Sequence, residues 1–217
     1  MENFDVLSYP KLFHNLKAAI KAVCTQEKNR HVFYEDVKIP GKEMLEIIQE
    51  KNFGKLPAQM QHAAEEAYEK LLQTGDGQLC DVIIDKAALE AVYEAGKVSG
   101  EPIIRDYAES TVAVADIKIA VRSQKTAKSI EFMQRAMAEC DSISVDQLSK
   151  AALSGMDAIC DYLRGTAYVE GAEALAESAS ALSAGVTTVL LRRLVRRNTM
   201  HYDRADHCLC NCKTERD

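Results

Sequence analysis

The stretch YAESTVAVADIKIAVRSQKTAK, residues 107–128, decides how the rest of the chain is read. At 3.6 residues per turn, Val114, Ile117 and Val121, with the more distant Tyr107 and Val112, fall towards one apolar stripe, and Lys118, Arg122 and Lys125 form another. This pattern predicts one long packed helix. A shorter version stands near the start of the chain as FHNLKAAIKA, residues 13–22. Aligning Asn15-Leu-Lys-Ala-Ala-Ile-Lys with Asp116-Ile-Lys-Ile-Ala-Val-Arg gives an offset of 101 residues. Each copy has a short polar residue, an aliphatic, a lysine, two small or aliphatic positions, an aliphatic and a base. Coincidence is the competing explanation, since amphipathic helices often carry lysines between apolar residues three or four apart. The repeat is favoured because a capped helix, an Ala-rich helix and a turn follow both copies.

Working outward, the composition points the same way. Of 217 residues, 47% are hydrophobic, while Gly (10) and Pro (4) are few, which favours an all-α fold. A net charge of -6 suits a soluble protein and argues against nucleic-acid binding through phosphate neutralisation. The N-terminal ten residues lack a secretory pattern, and no apolar run approaches the roughly 20 residues needed to span a bilayer.

Further helices are expected from Pro10 through Val23, over 42–51, from Pro57 through Leu71, over 78–98, over 126–138, from Ser144 to Leu153, over 156–163 and over 172–177. Residues 32–34 suggest a short extended piece. Gly75-Asp76-Gly77 reads as a turn, and Ser144-Val-Asp-Gln147 reads as a capping box.

Catalytic signatures do not emerge. There is no GxxxxGK[ST], HExxH or GxSxG, and His14, His31 and His62 share no ligand spacing. Asp81 and Asp85 lie one helical turn apart; without a partner histidine they read as solvated or capping residues rather than an acid/base pair. No cofactor motif appears. Four cysteines, Cys24, Cys80, Cys140 and Cys160, sit within helical patterns as buried reduced thiols would. The stripe Lys118, Arg122 and Lys125 is the candidate partner-binding surface, suited to a charge-complementary partner protein or an anionic lipid rim. Its alternative is a solvated helix face salt-bridged to Glu109 or Glu131.

Several passages resemble the C subunit of V/A-type rotary ATPases, relative of the eukaryotic d subunit. They are FDVLSYPKLFHNLKAAIK (4–21), FGKLP (53–57), AAEEAYE (63–69), TGDGQLCDVIIDKAALE (74–90), and 107–128 with its continuation SIEFMQRAM (129–137). The resemblance implies a funnel-shaped helical subunit of three similar units, seated on the membrane proteolipid ring and receiving the central shaft. It implies mechanical coupling of ATP turnover to proton or sodium translocation, with catalysis left to other subunits. The implied location is peripheral, on the cytoplasmic side of the membrane. On this reading 1–100 is a first unit clipped at its front, 101–182 a second, and the third is missing.

The expectation for 183–217 is different. Beyond Leu182, seven Lys or Arg stand against four acids, and Cys208, Cys210 and Cys212 crowd together. Shifting the reading frame across codons permitted for 183–201 yields R-W-C-D-N-R-L-I-E-T-I and then P-Q-K-Y, which resembles third-unit text and echoes residues 79–85. A frameshifted tail is therefore expected. The alternative is a free-standing helical regulator whose tail binds metal through His201, His207 and these cysteines, although C-x-C-x-C lacks the usual paired C-x-x-C spacing. The basic run VLLRRLVRR, residues 189–197, has the pattern of a short membrane-surface helix.

Overall fold

A computed structural model describes residues 5–25 and 33–178. Among them are nine α-helices and a short 3-10 turn, with no strand, so the fold is all-α. The tail 183–217, with its proposed metal ligands and basic run, lies outside the described residues.

Helix α1 (Asp5–Thr25) begins earlier than Pro10 suggests. Pro10 lies inside it, where the missing amide forfeits one i→i−4 bond, because Val6 and Tyr9 are both buried and hold the preceding turn in place. Helix α2 (Gly41–Gln49) and α3 (Ala58–Thr74) each follow a proline at the N-cap. Gly75 closes α3 in the left-handed region (φ 68), and Asp76 starts α4 (Gly77–Val98) by accepting hydrogen bonds from the Gln78 and Leu79 amides. The Gly-Asp-Gly triplet is thus a helix–helix turn.

Helix α5 (Pro102–Lys125) packs antiparallel to α4 and begins five residues before the stretch read from sequence, with proline in its first turn. Ala127, at φ 50, ends the helical run that periodicity extended through 126–138; only α6 (Ile130–Ala136) is helical there, capped by the Ser129 hydroxyl on the Phe132 amide. Helices α7 (Val145–Ser154), α8 (Met156–Arg164) and α9 (Val169–Ser178) complete the order. The capping box is half formed. Ser144 accepts from the Gln147 amide at 3.4 Å, but the Ser144 amide donates to the Tyr162 hydroxyl at 2.8 Å, so α8 supplies what Gln147 was expected to supply.

Two apolar clusters organise the packing. One joins α1, α2, α3 and α4 around Phe13, Leu16, Ile20, Met44, Ile48, Met60 and Ile84, and reaches Ala108 of α5. The other joins α5 to α9 around Ile117, Met133, Met137, Leu148, Ile159 and Leu163. Tyr93, Val112 and Ala138 make a small third cluster beside the α4–α5 contact. There Gly96 is required by proximity: a Cβ built on it would fall 2.3 Å from the Ala108 Cβ.

Candidate interaction site

Helix α5 divides its residues among three surroundings. Ala108, Val112, Ala113, Val114, Asp116, Ile117, Ala120 and Ser123 are buried. Val112 packs with Tyr93 and Ala138, while Ile117 belongs to the α5–α9 cluster, so the single stripe expected for them splits in two. Tyr107, assigned by periodicity to that stripe, is 43% exposed. The correction follows from packing on both flanks: a helix between two cores buries more than one narrow arc.

The short polar residue of the repeat proves structural in both copies. Asn15 is fully buried; its Nδ2 donates to the Tyr34 carbonyl (2.8 Å) and the Ile39 carbonyl (3.3 Å), and its Oδ1 accepts from the Tyr34 amide (2.8 Å). It holds the irregular segment at 33–34, where an extended piece was expected. Asp116, also fully buried, accepts from the Ala138 amide at 3.1 Å, while its second oxygen has no partner. Burial raises the Asp116 carboxyl to about 7, against the opposing pull of that backbone bond. The signal for these roles was visible as a polar residue amid apolar ones, but which backbone groups needed it depends on the fold.

The basic stripe is largely solvated, as the alternative expected, but its expected ion pairs with Glu109 and Glu131 are not formed. Lys118 is half-buried, and desolvation lowers its pKa; Arg122 and Lys125 are exposed. None of the three forms an ion pair among the described residues. Glu109 instead accepts from the Ser142 amide (2.8 Å), the Ser142 hydroxyl (2.5 Å) and the Asp141 amide (3.3 Å). Glu131 is held by the Ser129 hydroxyl, which lowers its carboxyl pKa. Glu109 is therefore engaged by the 141–142 segment and Glu131 by the N-cap of its own helix.

Arg122 also lines a groove of ≈ 460 Å³ between α4, α5 and α6, together with Gln78, Asp81, Asp85, Lys128 and Phe132. Its acidic side is already engaged. Lys17 Nζ sits 2.6 Å from Asp85, and Lys21 Nζ lies 2.7 and 2.8 Å from the two Asp81 oxygens. Asp81 and Asp85, read from sequence as solvated or capping, are thus partners of α1.

Reactive chemistry finds little support here. Among the described residues no three His, Cys, Asp or Glu side chains converge as metal ligands. Cys24, Cys80, Cys140 and Cys160 are free, and burial raises every one of these thiols, Cys80 to about 11 and Cys140 to about 12. Such thiols stay protonated near neutrality and are poor nucleophiles. Among the described residues no helix is long and apolar enough to cross a membrane.

Among the described residues the fold is all-helical, and Lys118, Arg122 and Lys125 lie along α5 without an ion-pair partner. The chain belongs to the ATP synthase (C/AC39) subunit family, whose model matches residues 2–205. The match covers both copies of the repeat and continues past Leu182, where the sequence likeness was expected to stop. No curated protein and no solved structure matches the chain.

Proposed function

We propose that this chain is a noncatalytic coupling subunit of the central stalk in a V/A-type rotary ATPase, joining the rotating shaft to the membrane proteolipid ring from the cytoplasmic side. The family match over 2–205 carries this reading. Lys118, Arg122 and Lys125 support it, because half-buried and exposed bases without an ion-pair partner among the described residues are available for charge-complementary docking. Their proposed role is contact with a partner subunit. ATP turnover and ion movement belong to the other subunits, and no cofactor is assigned to this chain. Residues 1–100 and 101–182 are proposed as two related helical units, with 183–217 as a tail read out of frame.

The test is assembly. The full chain is incubated with shaft subunits and detergent-solubilised proteolipid ring, and retention is measured by pull-down. Wild type is expected to be retained by both. Reversing all three charges, Lys118→Glu with Arg122→Glu and Lys125→Glu, is expected to weaken retention of the shaft by about tenfold. Failure of wild type to bind either component overturns the coupling reading, and unchanged retention of the variant removes the stripe from it. Sequencing the coding DNA tests the tail: absence of an open frame encoding the W-C-D and P-Q-K-Y text beside 183–201 rejects the frameshift.

A further inference from the structure

We propose that the groove between α4, α5 and α6 binds a small organic anion, a carboxylate joined to a flat apolar body, through Arg122 and Ser123. The groove encloses ≈ 460 Å³, within the range of about 300–1,000 Å³ usual for small-molecule sites. Val82, Ile119, Phe132 and Ala136 give it apolar walls. Ser123 lines it while being only 2% exposed. The Ser123 carbonyl accepts from the Lys128 amide at 2.9 Å, but its hydroxyl has no hydrogen-bond partner among the described residues. A buried hydroxyl left unmatched is costly, and a ligand oxygen entering the groove completes it.

Charge sets the class of ligand. Asp81 and Asp85 share the groove with Arg122, yet neither pairs with it: Lys21 Nζ lies 2.7 Å from Asp81 and Lys17 Nζ lies 2.6 Å from Asp85. Arg122 and Lys128 have no ion-pair partner among the described residues. The groove thus holds two acids neutralised from α1 and two bases that are not, so its uncommitted charge is positive. Lys128 is partly occupied, donating to the Gln78 side-chain carbonyl at 3.0 Å with its Nζ 4.9 Å from the centre of the Phe132 ring. Arg122 is the base left for a ligand. Its planar guanidinium suits a carboxylate, which it can receive through two parallel N–H bonds, and Phe132 offers an aromatic surface to the apolar body.

Other ligand classes fit less well. A cation would have to displace Lys17 or Lys21 from the acids they hold. An uncharged apolar molecule would desolvate Arg122 and leave the Ser123 hydroxyl still unmatched. Arg122 belongs both to this groove and to the stripe assigned above to a partner subunit. The assay below contains no other subunit, so either reading can fail while the other stands.

The probe is para-fluorobenzoate, followed by fluorine NMR during titration with the full chain. Saturable binding to wild type is expected. Arg122→Gln is expected to weaken it by about tenfold and Ser123→Ala by about threefold. Uncharged para-fluorobenzamide is expected to bind wild type about tenfold more weakly than the acid. Lys118→Gln, on the same helix but outside the groove, is expected to leave the affinity unchanged. Circular dichroism verifies that each variant is folded, and because Arg122 is exposed its substitution decides the matter even if Ser123→Ala does not fold. Absence of saturable binding, equal affinity in Arg122→Gln, or equal affinity for the amide overturns the proposal. So does a loss in Lys118→Gln as large as that in Arg122→Gln, which would mean diffuse attraction to a basic surface rather than a site.

Discussion

Asn15 and Asp116 occupy corresponding positions of the two repeat copies, and each, fully buried, ties a later backbone segment to its own helix: Asn15 holds Tyr34 and Ile39, and Asp116 holds Ala138. They differ in completion. Asn15 uses both its donor and its acceptor, whereas Asp116 leaves one carboxylate oxygen without a partner. A buried carboxylate with one unmatched oxygen is costly when ionised, which is why its proton is retained to about pH 7.

Asp116→Asn is expected to change how stability depends on pH. The folded pKa is about 7 against an ordinary value of 3.8, so the folded state binds more protons than the unfolded state between these values. The contribution of Asp116 is therefore fully present below about pH 4 and is lost as pH rises through about 7. Asparagine keeps an acceptor for Ala138 and does not ionise. At pH 8 the variant is expected to be more stable than wild type by about 4 kcal/mol, with the gap closing towards pH 4. Thermal melts across this range provide the check; parallel profiles for the two proteins would exclude the linkage.

Asn15→Ala is expected to destabilise by about 2 kcal/mol, because it leaves the Tyr34 amide and two carbonyls without their side-chain partner in a largely buried position. Hydrogen exchange at the Tyr34 amide should accelerate more than exchange within α3. Uniform acceleration throughout the chain would mean that Asn15 is not acting through this segment.

Gly96→Val is expected to force α4 and α5 apart, since even a single Cβ would fall 2.3 Å from the Ala108 Cβ. Overpacking of this kind costs about 2 kcal/mol. Ala108→Gly should recover part of that loss. Equilibrium denaturation of the two single variants and the double variant measures the coupling, and simple additivity would place the strain elsewhere.

Cys80 and Cys140 are expected to resist alkylation at pH 7.5 in the folded protein and to react promptly in denaturant, since burial keeps both thiols protonated. Mass mapping after brief iodoacetamide treatment gives the answer. Rapid native labelling of either would contradict the packing around it.

Much of the helical architecture was legible because its causes are local. Apolar spacing marked α3, α4 and α7, and Gly75-Asp76-Gly77 marked the turn between α3 and α4 through left-handed backbone and an aspartate cap. Element ends were less legible where a distant group decided them. Pro10 looked like a start until burial of Val6 and Tyr9 carried α1 back to Asp5, and Tyr162, from α8, completed the Ser144 cap.

The candidate site shows the same division. Lys118, Arg122 and Lys125 were marked from sequence by their spacing on one helix, but spacing could not tell a paired face from an open one. That required knowing that Glu109 is occupied by Ser142, Glu131 by Ser129, and Asp81 and Asp85 by α1.

By itself, then, the sequence determined that the chain is helical and that it repeats a motif at a 101-residue offset, because periodicity, capping and composition act over a few residues at a time. Only the tertiary structure decided which copy of the motif has its bases neutralised and which presents them to solvent. Charge pairing depends on which helices pack together, and that is set by burial across the whole fold rather than by the order of residues along α5.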